Sequence, residues 1–200
     1  VHMSRGLGDV YKRQFLLWIV ALSIPIFVFP TTHALFWAVT IFLFAVTCYY
    51  SFISVLPIKK LILASVFTAI GINFILNAHA YQELKKYESG YQAADLISVF
   101  DKKNNAKIYT YQISNQSFNY YIQDIPTELE TPENLALTAS GKQDIWIYTN
   151  KEGVEQLKNV KPELSEVFAL NHVHVTKLKI GFFNPKTRAK YTNVRYLVKW

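Results

Sequence analysis

The run His33-Ala34-Leu35-Phe36-Trp37-Ala38-Val39-Thr40-Ile41-Phe42-Leu43-Phe44-Ala45-Val46-Thr47-Cys48-Tyr49-Tyr50 decides the first question about this chain. It lies inside a longer stretch, Phe15 to Ile58, that holds no Asp, Glu, Lys or Arg. Lys59-Lys60 interrupt, and Leu61 to Gln82 is again uncharged. About 20 apolar residues span a bilayer as a helix. The pattern predicts three transmembrane helices: Phe15 to Phe29 ended by Pro30, His33 to Leu56 ended by Pro57, and Leu61 to His79. A helix of a soluble bundle usually keeps a polar face, and these stretches have none. A signal peptide fits the first stretch poorly, because two more apolar stretches follow at once.

Working outward, composition splits in two. The 200 residues are 51% hydrophobic and 18% charged, against about 25% charge in an ordinary soluble domain. The 16% aromatic content excludes disorder. One cysteine excludes an intrachain disulfide and a four-cysteine zinc site.

The first span is short. Fifteen residues reach about 22 Å as a helix, less than a core of about 30 Å, and Pro25 interrupts it. The preceding Met3-Ser4-Arg5-Gly6-Leu7-Gly8-Asp9-Val10-Tyr11-Lys12-Arg13-Gln14 resembles translated linker sequence found at the ends of unrelated reading frames. Residues 1–14 are therefore expected to carry no fold information, and the first helix to be truncated. A genuine basic cytoplasmic flank is the other reading. Lysines 59 and 60 mark their loop as cytoplasmic. Three spans then put the C-terminal part outside, so a multi-pass protein of the inner (plasma) membrane is expected. Lys85 and Lys86 argue the other way.

Polar residues inside the spans are few. Asn73 and Asn77 lie one turn apart near Gly71; they read as interhelical glue or as the lining of a substrate groove. His33 and His79 sit at span ends, where a polar tip reaches the headgroups. Tyr49 and Tyr50 read as an interfacial belt or as lipid-facing bulk.

Residues 81–200 read as a small extracytoplasmic α/β domain with a mixed sheet. Tyr91 to Lys103 has a helical period through Ala93, Leu96, Ile97 and Phe100. Lys107 to Tyr111 reads as a strand, and Ser117 to Ile122 as a helix or a strand. Asp124 to Pro132 reads as loop, and Pro132 to Ala139 as the opening of a helix. Ile145 to Tyr148 is a continuous apolar run, hence a buried central strand. Thr149 with Glu152 fits a capping box before a helix burying Val154 and Leu157. Val167 to Leu170 is strand-like, as are Val173, Val175 and Leu178. Asn184-Pro185 marks a turn, and Arg195 to Trp200 alternates as a last strand.

No catalytic constellation is visible. The seven glycines form no phosphate loop, and there is no serine elbow. Cys48 lies in a span. His172 and His174 would share one strand face and offer two metal ligands, but no acid follows Glu166 to help them. Glu128, Glu130 and Glu133 sit in a polar loop, where carboxylates are usually just solvated. Asn115-Gln116-Ser117 matches a common glycosylation acceptor. No metal or cofactor is assigned to this chain.

Charge is more telling. The net charge of +7 divides into +4 over residues 1–80 and +3 over the rest. After Glu166 come seven basic residues and no acid: Lys177, Lys179, Lys186, Arg188, Lys190, Arg195 and Lys199. An exported domain tethered to a membrane meets lipid phosphate rather than nucleic acid. Lys177, Lys186, Arg188 and Lys190 are the candidate binders of a lipid-linked phosphate. A solvated strand edge guarded by lysines is the bland alternative.

Val175-Thr176-Lys177-Leu178, followed by Phe182-Phe183-Asn184-Pro185-Lys186-Thr187-Arg188, resembles the C-terminus of bacterial integral-membrane GT-C glycosyltransferases, the aminoarabinose-transferase and protein-mannosyltransferase type. The order of parts is similar as well, as is the lead-in Tyr87 to Phe100. The resemblance covers about residues 15–200. It implies a sugar donor on a polyprenyl-phosphate carrier, and an envelope lipid, glycan or protein acceptor. It places the catalytic acid in a first extracytoplasmic loop that this sequence does not contain. It thus implies a non-catalytic C-terminal fragment, and leaves room for a divalent metal only in the full-length protein. A complete, membrane-anchored periplasmic binding or sensor module is the alternative.

Overall fold

The computed structural model describes residues 2–52, 56–101, 106–113, 116–122, 125–132, 144–164, 166–174 and 177–200, without the side chains of 2–9, 11 and 57. Two compact units emerge, one built on Val1–Leu84 with Phe183–Lys186, the other on Lys85–Phe182 with Thr187–Trp200.

The first unit is helical. Helix α1 runs His2–Ser23, so it takes in the segment expected to lack fold information. It continues as one wide turn of π-helix, Ile24–Val28, with Pro25 buried in it. Proline has no N–H to donate, and the ladder shifts register around it: Phe29 N donates to Ile24 O at 2.8 Å. Helix α2 is Ala34–Phe52. Helix α3, Pro57–Ile75, opens on a proline, whose missing donor is harmless in a first turn. It passes through a π-turn, Leu76–Ala80, into α4, Tyr81–Lys85.

Two helical stretches, Ala34–Phe52 and Ile58–Lys85, are long and apolar enough to cross a membrane. The stretch 15–29 is not one of them. Many outward-facing positions are apolar, among them Ile41 and Phe42 on α2 and Ile62, Val66 and Ile70 on α3. The inward stripe of α2 is Phe36, Thr40, Leu43, Thr47 and Ser51. Its hydroxyls donate back along the helix: Thr40 to Phe36 O, Thr47 to Leu43 O, Ser51 to Thr47 O. Asn73 and Asn77 are exposed, and each donates at 2.9 Å to the carbonyl four residues back. These side chains donate within their own helices. His79, expected to face headgroups, is buried instead, with Nε2 2.6 Å from Phe29 O. Close helix packing needs Gly71, since a Cβ there would run into the fully buried Trp18 ring.

The second unit is a three-layer α/β/α sandwich. Its elements are α5 Ser89–Phe100, β1 Lys107–Tyr111, α6 Gln116–Ile122, β2 Thr127–Leu129, β3 Ile145–Thr149, α7 Lys151–Val160, β4 Val167–His172, α8 Ile180–Phe183, a 3-10 turn Arg188–Tyr191 and β5 Asn193–Lys199. Sheet order is β2-β1-β3-β5-β4. β1 runs parallel to β2 and β3, while β5 is antiparallel to β3 and β4, so the sheet is mixed.

β3 is central and buried at every residue. Its side chains alternate between two cores. Ile145 and Ile147 meet Tyr109, Tyr111 and Val198, under Val154 and Leu157 of α7. Trp146 and Tyr148 meet Leu170 and Leu197, under Ala93 and Ile97 of α5 and Phe118 of α6. Segment 117–122 is thus helical.

Three local expectations are corrected. The cap of α7 is Asn150, whose Oδ1 accepts from Gly153 N at 2.8 Å. Thr149 is still in the strand, and its hydroxyl donates to Tyr111 O instead. The segment expected to be loop contains β2, where only Leu129 is buried; one inward residue leaves no alternation to read. β4 ends at His172, and Leu178 lies in irregular chain. Beyond Pro132, the helix expected from Pro132 to Ala139 falls outside the described residues, as do Glu133, Asn115 and Val175.

Candidate functional site

A cavity of about 270 Å³ opens where β4 ends and β5 begins. Val173 and His174 line it just past β4. Lys177, Leu178 and Lys179 follow, then Phe182 from α8, Lys190 and Tyr191 from the 3-10 turn, and Asn193 from the start of β5. Three lysines and three apolar side chains therefore line one cavity, with no carboxylate among the described lining residues.

The backbone is held by short local bonds. Lys177 N donates to His174 O, Phe182 N to Lys179 O and Lys190 N to Thr187 O. Thr187 Oγ1 donates to Gly181 O at 2.7 Å. The Tyr191 ring lies across Gly181, where a Cβ would push it aside.

Of the four candidate cations, Lys177 and Lys190 meet on this cavity. Arg188 does not line it. Its Nε donates to Phe182 O at 3.0 Å and its Nη1 to Tyr87 OH at 3.1 Å. Its guanidinium also sits over the rings of Tyr87 and Phe182, which pack edge to face. It therefore buttresses the wall that Phe182 presents. Lys186 is exposed in the turn after α8, where its N–H donates to Asn184 Oδ1. Elsewhere in the tail, Lys199 pairs with Asp144 at 3.3 Å.

A buried polar network lies behind the cavity. His174 sets its ring edge to face against His172, centroids 4.8 Å apart. His172 is 5% exposed, and its Nδ1 lies 2.8 Å from Ser89 Oγ. Ser89, fully buried, is 2.5 Å from Tyr148 OH. Burial, then the charge of Arg195 and the neighbouring His174, pull His172 from 6.5 to about 4. It is neutral at pH 7 and bonded to Ser89. Among the described residues no three His, Cys, Asp or Glu side chains come together.

Reading the sequence missed Lys179, Tyr191 and Asn193 as lining residues, and missed Ser89 and Tyr148. Lys179 carried a signal, being one of the seven tail cations. Ser89 carried none. What unites them is a fold contact between α5, β3 and β4.

No protein-family model, curated protein or solved structure matches the chain.

Proposed function

We propose that this chain is the C-terminal, non-catalytic part of an integral-membrane glycosyltransferase. The enzyme would move a sugar from a polyprenyl-phosphate carrier to an envelope lipid, glycan or protein. The α/β domain stands outside the cytoplasm and receives the carrier phosphate in the lysine-lined cavity. The stretch 15–29 serves as a third span, and Lys59-Lys60 face the cytoplasm.

One observation carries the reading. Lys177, Lys179 and Lys190 share a cavity with Val173, Leu178 and Phe182, and a phosphate on an isoprenoid chain has that dual character. Ammonium groups bind phosphate as point charges. Two helices of spanning length in the same chain support placing the domain beside lipid. The tail motif's likeness to GT-C enzymes supports the reaction class. Lys177 and Lys190 hold the phosphate, and Arg188 acts through Phe182. No residue of this chain is assigned to bond making.

The test uses the full chain in nanodiscs and a polyprenyl phosphate, with the corresponding polyprenol as control. The Lys177→Glu/Lys190→Glu variant should lose affinity for the phosphate by roughly 10- to 100-fold, the scale of one or two charge-assisted contacts. Equal affinity of variant and parent would remove the reading. The chain alone should transfer no sugar, and detectable transfer would reassign the chemistry.

A membrane-anchored binding module is the second reading. It draws on the same lysine-lined cavity, which recognises a phosphate without any bond being made. Binding of the phosphate by a chain that supports no transfer in any longer context would select it.

A further inference from the structure

Ile180 opens α8 and is 90% exposed, against half-buried or buried positions at Leu178, Gly181 and Phe182. Single exposed apolar residues are ordinary on a protein surface. Ile180 differs in its company. Tyr191 lies across the adjacent Gly181 and is itself 41% exposed. Lys177, Lys179 and Lys190, all exposed, are its neighbours along the two segments. A second isoleucine, Ile125, is 86% exposed in the same unit. It stands two positions before β2, whose exposed neighbours are Glu128 and Glu130. The two sites share an apolar residue and differ in the sign of charge around it.

We infer that Ile180 and Tyr191, with Lys177, Lys179 and Lys190, form a foot that inserts into the headgroup region of an anionic bilayer leaflet. An apolar tip enters the acyl boundary, an aromatic ring sits at headgroup level, and lysine stems reach lipid phosphate. The occupant follows from complementarity. The collar is wholly cationic, and no acid occurs anywhere after Glu166. A protein partner of acidic character would meet the lysines but give the exposed isoleucine no apolar phase to enter. The same chain carries helices long enough to span a membrane, so the foot works at high effective concentration and needs little affinity of its own.

This inference does not depend on the transferase reading. A domain that rests on lipid need not bind a carrier phosphate. If both hold, the cavity opens at headgroup level, where a membrane-borne ligand reaches it without leaving the bilayer.

The test places a nitroxide at Ile180→Cys, or at Ile125→Cys as control, in the full chain with Cys48→Ala. The protein is reconstituted in nanodiscs of phosphatidylglycerol mixed with phosphatidylcholine, or of phosphatidylcholine alone. Collision with oxygen against a water-soluble nickel reagent reads depth. The label at 180 should be oxygen-accessible and nickel-protected in anionic discs, and should turn nickel-accessible in neutral discs. Lys177→Glu/Lys179→Glu/Lys190→Glu should return it to the water-like value at 125. A label at 180 that is water-accessible in anionic discs overturns the inference. Insertion indifferent to lipid charge overturns it too, because the collar would be idle. Ile180→Asp separates the two proposals: it should abolish insertion while leaving polyprenyl-phosphate binding in detergent intact. Loss of that binding in a folded Ile180→Asp protein would show one lipid site rather than a separate foot, and would overturn the inference.

Discussion

Ser89 Oγ lies 2.8 Å from His172 Nδ1, and both residues are buried. The contact ties the first turn of α5 to the end of β4, an edge strand of the sheet. Two bonds reinforce the same junction: Gln92 Nε2 donates to Asn171 O and Val173 N donates to Tyr87 O, each at 2.9 Å. His172 Nε2 has no partner among the described residues. A buried N–H left unpaired is costlier than an unpaired lone pair. The proton therefore belongs on Nδ1, donated to Ser89, whose own proton goes to Tyr148.

The tautomer is directly measurable. Nitrogen-15 spectra of the full chain at pH 7 should show His172 as the Nδ1–H form. The Nε2–H form would contradict the order of donors.

Acid should loosen this junction. His172 is pulled down from 6.5 to about 4 by burial first, then by Arg195 and His174. A histidine that folds in its neutral form contributes stability fully above its unfolded value and loses it as pH falls below. The loss should run from about pH 6.5 to about pH 4, at roughly 1.4 kcal/mol per unit. Hydrogen exchange of β4 and β5 amides, corrected for intrinsic rates, should show protection falling across that window. His172→Gln should flatten the slope; an equal slope in that variant would assign the acid response elsewhere.

Arg188 and Lys186 should separate cleanly. Removing the guanidinium strips partners from Phe182 O and Tyr87 OH, so Arg188→Gln should destabilise the domain by about 1–3 kcal/mol. Lys186→Gln should stay within about 0.5 kcal/mol, as exposed changes do. Exchange protection at α8 reads both. Similar effects of the two variants would dissolve the distinction.

Asn150→Ala should cost about 1 kcal/mol, the usual worth of an N-cap. Thr149→Val should cost at least as much, because it leaves the buried Tyr111 carbonyl without its donor. Double changes should be close to additive only if the two bonds act independently. Chemical denaturation followed at α7 amides measures this.

Gly71→Ala should weaken the helical unit by about 1–3 kcal/mol, since the added methyl meets the Trp18 ring. Trp18→Leu in the same chain should recover part of that loss. Thermal unfolding in detergent checks both; no coupling between the two positions would place the ring elsewhere.

How much was legible depended on how locally each feature is encoded. The central strand was readable because Ile145 to Tyr148 is apolar on both sides and both sides are buried. Helix α5 was readable from Ala93 and Ile97, one turn apart. β2 was not, because a three-residue edge strand with one inward side chain has no period. The cap slipped by one residue because Thr149 and Asn150 are both good caps, and only the strand's register settles which is free. Within the tail, seven cations were visible as a cluster in sequence. Their separation into cavity wall, aromatic cradle and surface turn was not, because it depends on where α8 and the 3-10 turn fold back.

The sequence by itself marked two kinds of segment in one chain. Some stretches are long, apolar and uncharged, and two of them fold as helices long and apolar enough to cross a membrane; a later part has alternating and helical periods suited to a two-faced sheet. Those features follow from transfer free energy and backbone periodicity, which act residue by residue. Only the tertiary structure decided that Arg188 serves Phe182 and Tyr87 while Lys177 and Lys190 face a common cavity. Only it buried Ser89 against His172. Arg188 with Tyr87 and Ser89 with His172 are meetings of residues far apart in the chain, and no local preference records them.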